Sequence, residues 1–318
     1  MNKPKKVSLQ NRFYKNTAFT LLEFSIVLLI IALLIVGIVG GQKLVELANL
    51  SKARSLTNSS AVNKIQGLAL WVESTSKKSF SSEEPADGEF IDSWKDINPQ
   101  SKIKKNGTVI GSSRPTYILK AINGLPAISF DGIDDYLFFQ TESDWKFLHD
   151  GSEHTYFIVF KTASSDPNSF MLPLGSSIAD LNGVGMDFVI EDRASQSANQ
   201  QVWMASINGL PRTVYEIHSP NNSVDLSKAN FATASYKARL KGDNAKLFVN
   251  GTEVASGKTG ATPTNKDSNF PLCIGGAPLG YPMSGYIGEI IIFKKLLSNF
   301  ERGEVDKYLS KKWGIKLN

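Results

Sequence analysis

Acids are the residues in this chain with the most chemistry to offer, and three groups of them stand out. In the stretch 187–193, "DFVIEDR", Asp187, Glu191 and Asp192 sit at spacings of four and one. A glycoside hydrolase needs two carboxyl groups flanking one bond, roughly 5–9.5 Å apart. Spacings of four and one do not reproduce an alternating comb of acids on one strand, and Glu289 in "GEIIIF" stands alone. The chain is therefore read as not an enzyme. The second group, Asp131, Asp134 and Asp135 in "FDGIDDY", is the densest acidic cluster of its region. Hard carboxylate oxygens suit Ca²⁺, so these three are the calcium candidates, with a plain Asp-Gly turn as the competing reading. No other cofactor is indicated.

Other chemistries find no seat. His149, His154 and His218 have no metal-type spacing with one another or with Cys273. One cysteine excludes an internal disulfide. Five of the 35 basic residues lie in the first eighteen positions, which hold no acid, leaving 30 bases against 30 acids in the rest. That balance gives no nucleic-acid surface. Trp94, Trp145, Trp203 and Tyr281 offer aromatic faces on which a sugar could stack, or else they are core.

The third acid is Glu23, in "AFTLLE", at the mouth of the uncharged run from Phe24 to Gly41. A lone carboxylate beside such a run is costly in a bilayer and asks for a partner. The run is long enough to predict a membrane helix, with a cleaved secretory signal as rival. From Leu44 to Ile65 apolar residues recur among charges, which extends one helix to about Gln66.

The elements after Gly67 read differently. Short β-rich runs separated by turns predict strands at Leu68–Val72, Ala127–Phe130, Tyr136–Gln140, Tyr156–Lys161, Gly185–Ile190, Gln201–Ile207, Phe231–Leu240 and Tyr286–Phe293. Asn250-Gly251 predicts a type I′ hairpin. Ser298 and Glu301 form a capping box ahead of a short closing helix.

The basic leader, Ala18, "FTLLE" and the apolar run resemble the type IV pilin class of signal. That resemblance implies a leader peptide over 1–18, cleavage by a prepilin peptidase between Ala18 and Phe19, N-methylation of Phe19, and a pilin-like helix over 19–66 assembling through Glu23. Ala18 departs from the glycine the class prefers. "GLALWVE", "NGLPAISFDGIDDYL", "TYFIVFKT", "LFVNGTEVAS" and the last thirty residues resemble the concanavalin A-like, laminin-G-like sandwiches, covering 67–318. The fold implied is a long N-terminal helix followed by a mainly-β jelly-roll sandwich with a short C-terminal helix. Together the resemblances imply a bacterial inner-membrane precursor that joins other pilin-like subunits in a filament and displays a glycan- or surface-binding domain. A type II secretion pseudopilin and a membrane-anchored glycan-active enzyme are the alternatives.

Overall fold

The computed structural model describes residues 21–81, 83–163, 168–177, 183–193, 199–208, 213–237, 245–258 and 262–318. The chain divides into two units, Met1–Ala48 and Asn49–Asn318. Helix α1, Leu21–Ser59, runs through the boundary. In the first unit its described apolar side chains, Phe24, Leu28, Leu29 and Leu34 among them, are exposed.

The expectation of a membrane-spanning, filament-core helix over 19–66 is corrected here. Among the described residues no helix is long and apolar enough to cross a membrane. The uncharged run from Phe24 to Gly41 spans about 27 Å at ~1.5 Å per residue. A bilayer core is about 30 Å thick. Farther along α1, Lys43, Glu46, Lys52 and Arg54 interrupt any apolar run. A single-pass inner-membrane precursor is accordingly not supported. Ala18 and Phe19 lie outside the described residues, and Glu23 sits in the first turn of α1.

The second unit is a β-sandwich. Its strands in chain order are β1 (Leu68–Glu73), β2 (Glu89–Phe90), β3 (Ser93–Trp94), β4 (Gly107–Thr108), β5 (Thr116–Ile122), β6 (Leu125–Asp131) and β7 (Leu137–Phe139). They continue with β8 (His154–Thr162), β9 (Asn168–Gly175), β10 (Val184–Arg193), β11 (Gln201–Asn208) and β12 (Thr213–His218). Last come β13 (Asn230–Tyr236), β14 (Ala245–Val249), β15 (Thr252–Gly257), β16 (Leu272–Ile274) and β17 (Ser284–Phe293), before helix α2 (Asn299–Trp313).

Two antiparallel sheets result. The front sheet runs β15-β14-β13-β8-β17-β6-β5-β2, with β1 also on β17; the back sheet runs β12-β11-β10-β9-β16-β7-β4-β3. Strand β17 is the keel of the front sheet: β8 lies along one side, and β6 and β1 share the other end to end. Alternation sorts the side chains, since successive residues of a strand face opposite ways. Ile158, Phe160, Phe188, Ile190, Ile290 and Ile292 fill the space between the sheets.

The outer face of the front sheet is covered. Trp71, Phe157, Phe231 and Ile291 pack there with Val305, Leu309 and Trp313 of α2 and with Ala53 of α1. Local chemistry fixes the pieces. Asn250 and Gly251 take φ of 48° and 86°, the positive pair that a type I′ turn requires and that only Asn and Gly adopt cheaply. Both hydrogen bonds of the Ser298–Glu301 capping box are made, and Gly314 closes α2 in the left-handed conformation.

Candidate functional site

The outer face of the back sheet is built differently. Pairing of β10 with β11 and of β9 with β10 sets Val189 beside Trp203 and Glu191 beside Phe170. Trp203 pairs with His218 on β12. Four rings follow in line: His218 stacks on Trp203 at 5.0 Å, Trp203 lies 5.7 Å from Phe170, and Phe170 lies 4.5 Å from Tyr281. Leu172, Val189, Ala205 and Cys273 form the apolar floor beneath.

Polar groups lock this row. Glu191 accepts from Trp203 Nε1 at 2.9 Å and from Arg193 Nε at 2.8 Å. The Arg193 guanidinium lies over the Phe170 ring at 4.2 Å. His218 Nε2 lies 2.7 Å from Glu216, and that bond holds the Glu216 carboxyl below its usual range. Trp203 is only 8 % exposed, so solvent meets the row at Phe170, Tyr281, Arg193 and His218. Such a surface offers flat apolar faces flanked by fixed donors and acceptors, the chemistry that sugars require.

The acids of "DFVIEDR" do not make a catalytic pair. Asp192 falls on the other side of β10 from Asp187 and Glu191, and it accepts from Gln200 N. Asp187 and Glu191 share a face but lie four residues apart, about 13 Å at ~3.3 Å per residue. Asp187 accepts from Ser177 Oγ at 2.5 Å, and burial pushes its carboxyl up to about 6.

Glu289, alone in the sequence, is not alone in space. Its Oε1 accepts from Trp71 Nε1 and Tyr308 Oη, both at 2.7 Å. Its Oε2 accepts from Lys312 Nζ at 2.9 Å and Trp313 Nε1 at 2.8 Å. Glu73 lies directly across the ladder from Glu289, and Lys312 also donates to it at 2.8 Å. Like charges opposite one another destabilise a sheet. One lysine from α2, its side chain fully buried like both acids, offsets that repulsion. These partners are scattered between residues 71 and 313, so no spacing rule could have found them.

Trp94 and Trp145, two of the expected platform members, are wholly buried. Trp203 and Tyr281 are the two that reach the row described above. His149 bonds Lys266 O, and His154 sits between Ser152 O and Tyr215 Oη, its imidazole pushed down to about 4 by burial. Cys273 is buried, which pushes its thiol up to about 12.

The three aspartates do meet. Ligating oxygens of Asp131, Asp134 and Asp135 lie within 4.8 Å of one another, a spacing compatible with Ca²⁺–O bonds of about 2.3–2.6 Å around one ion. The same residues build the turn. Asp131 Oδ1 accepts from the Ile133 and Asp134 N–H groups, and Asp135 Oδ2 accepts from Asp131 N. Burial, followed by the charges of Asp131 and Asp134, pushes Asp135 up to about 6.

Comparison with known proteins bears on this arrangement. Residues 164–301 match the model of the concanavalin A-like lectin/glucanases superfamily. No curated protein sequence matches the chain. Among solved structures, the Ruminococcus gnavus IT-sialidase CBM40 bound to alpha2,3 sialyllactose overlaps 57 % of this chain and 96 % of its own, with 20 % identity and a TM-score of 0.44. Trypanosoma rangeli sialidase in complex with sialic acid overlaps 80 % of this chain and 34 % of its own, with 13 % identity and a TM-score of 0.47. Overlaps this loose speak to neither site nor ligand.

The family match corrects the remaining expectations. It is to the concanavalin A-like lectin/glucanases superfamily over residues 164–301, whereas the pilin resemblance rested on the basic leader, Ala18, "FTLLE" and the apolar run. A filament subunit or secretion pseudopilin, with prepilin peptidase, sibling subunits and the inner membrane as partners, is not supported.

Proposed function

We propose that the domain over 67–318 is a non-catalytic carbohydrate-binding sandwich whose binding face is the outer surface of the back sheet. The observation that carries this reading is the row His218–Trp203–Phe170–Tyr281, tied at its centre by Glu191 and Arg193. Three of its four rings meet solvent, and the strands that hold it lie within or beside the region matched by the lectin-type family. Rings of this kind cover the apolar face of a pyranose, while the guanidinium, held in place by the carboxylate, takes its hydroxyls. Pre-set side chains reduce the ordering cost of binding.

The test is calorimetric titration of the full chain with a panel of neutral oligosaccharides and sialyllactose, repeated with Tyr281→Ala and Phe170→Ala. Each truncation is expected to weaken binding by roughly five- to tenfold, about 1 kcal/mol per ring. Unchanged affinity for the neutral oligosaccharides in both variants, or no binding by any saccharide, would reject this face as the site.

A further inference from the structure

A second cleft lies on the opposite side of the sandwich. It is bordered by Asn123 in the β5–β6 turn, Lys161 near the end of β8, the segment 222–230, Asn250 in the β14–β15 turn, and the tail 314–318 beyond α2. Its volume is about 570 Å³, within the range of small-ligand sites. Unlike the aromatic row, it has no ring in its lining. Amides, hydroxyls and three lysines, Lys161, Lys228 and Lys316, make its walls.

The walls are cross-tied. Asn230, 2 % exposed, donates from Nδ2 to the carbonyls of Asp225 and Lys228 at 2.8 and 3.1 Å. Its Oδ1 accepts from Asn250 Nδ2 at 3.0 Å, and Asn250 Oδ1 accepts from Phe231 N at 3.0 Å. The tail is pinned by Asn318 N to Asn250 O at 3.1 Å and by Asn123 Nδ2 to Trp313 O at 2.8 Å. Four chain segments are thereby held around one polar space.

Charge then selects the ligand. The one acidic side chain in the lining, Asp225, already pairs with Lys228 at 2.6 Å, which leaves Lys161 and Lys316 against, at most, one main-chain carboxylate of Asn318. A polar site with net positive charge and hydroxyl-sized donors favours a polyhydroxylated body bearing an anionic group. We propose that this cleft binds an acidic saccharide, one carrying carboxylate or sulfate groups, separately from the aromatic face.

The experiment titrates the full chain with a sulfated heparin-type tetrasaccharide, tri-galacturonate, a neutral tetrasaccharide and sodium sulfate. Both acidic saccharides, or one of them, should bind more tightly than the neutral one, with affinity falling as salt rises. Lys161→Gln with Lys316→Gln should lower that affinity roughly tenfold or more at an unchanged thermal midpoint, and Trp203→Ala should not alter it. Lys161→Glu with Lys316→Glu should abolish it. The proposal is overturned if neither acidic saccharide binds, if the lysine variants bind as tightly as the parent, or if sulfate alone competes equally mole for mole. Loss with Trp203→Ala instead would place the acidic ligand on the aromatic face, rejecting this cleft while leaving the proposed function standing.

Discussion

The two outer faces of the sandwich carry the same chemical pair, a glutamate accepting from an indole N–H, and use it in opposite ways. On the front sheet Glu289 binds two indoles, a phenol and an ammonium, three of the four donated by α2 itself. On the back sheet Glu191 binds one indole and one guanidinium, and Arg193 keeps a third of its side chain in solvent. Helix cover separates them. Where α2 closes over the face, every donor is committed to folding; where no helix covers it, rings remain for a ligand.

The comparison breaks most readily at Lys312. Lys312→Met would leave Glu73 and Glu289 facing each other across the ladder in a buried site, one of them holding an oxygen, Glu73 Oε1, already without a partner. Removing one member of a buried ion pair costs about 3–5 kcal/mol, so chemical denaturation should show a loss of that order. Glu191→Gln on the other face should cost far less, because water reaches its partner Arg193. Equal losses would mean that cover is not the difference.

Asp187 sharpens the contrast through pH. Its carboxyl is held at about 6, against an ordinary 3.8, chiefly by burial. A raised folded-state value means that the folded protein binds the extra proton more tightly than the unfolded chain, so stability falls as pH rises from about 4 to about 6. The span corresponds to roughly 3 kcal/mol at ~1.4 kcal/mol per unit. Asp187→Asn should flatten the profile in that window, which urea titrations at several pH values would register. Asp135, also held at about 6, contributes with the same sign and should persist in that variant.

Much of the front sheet was legible. The Asn250-Gly251 turn and the Ser298–Glu301 box are local, so residue type alone specifies them. Strand positions followed from alternation because buried and exposed faces alternate with period two. What could not be read was distance: which indole meets which carboxylate depends on pairings as remote as Trp71 with Glu289. Trp94 and Trp203 look alike in sequence, and only sheet register sends one inward and the other out. The N-terminal helix was legible as a helix. Its membrane role rested on the uncharged run from Phe24 to Gly41, and among the described residues no helix is long and apolar enough to cross a membrane.

Smaller effects test the cover itself. A methyl group at Gly288 would come within 2.6 Å of the Trp313 ring, so Gly288→Ala should destabilise by ~1–3 kcal/mol through overpacking, seen as a lower thermal midpoint. Ser298→Ala removes the cap of α2 and should cost about 1 kcal/mol. Neither should change saccharide affinity on the back face. A change there would show that the two faces are coupled.

The most direct test follows the five tryptophans by their indole N–H resonances as saccharide is added to the full chain, with Trp203→Phe assigning the informative signal. Trp71, Trp94, Trp145 and Trp313 are wholly buried, whereas Trp203 lies under the open row. A binding saccharide should shift the Trp203 resonance and leave the other four in place. If a neutral saccharide binds while Trp203 stays still, or moves only indoles beneath α2, the back face is not the binding surface.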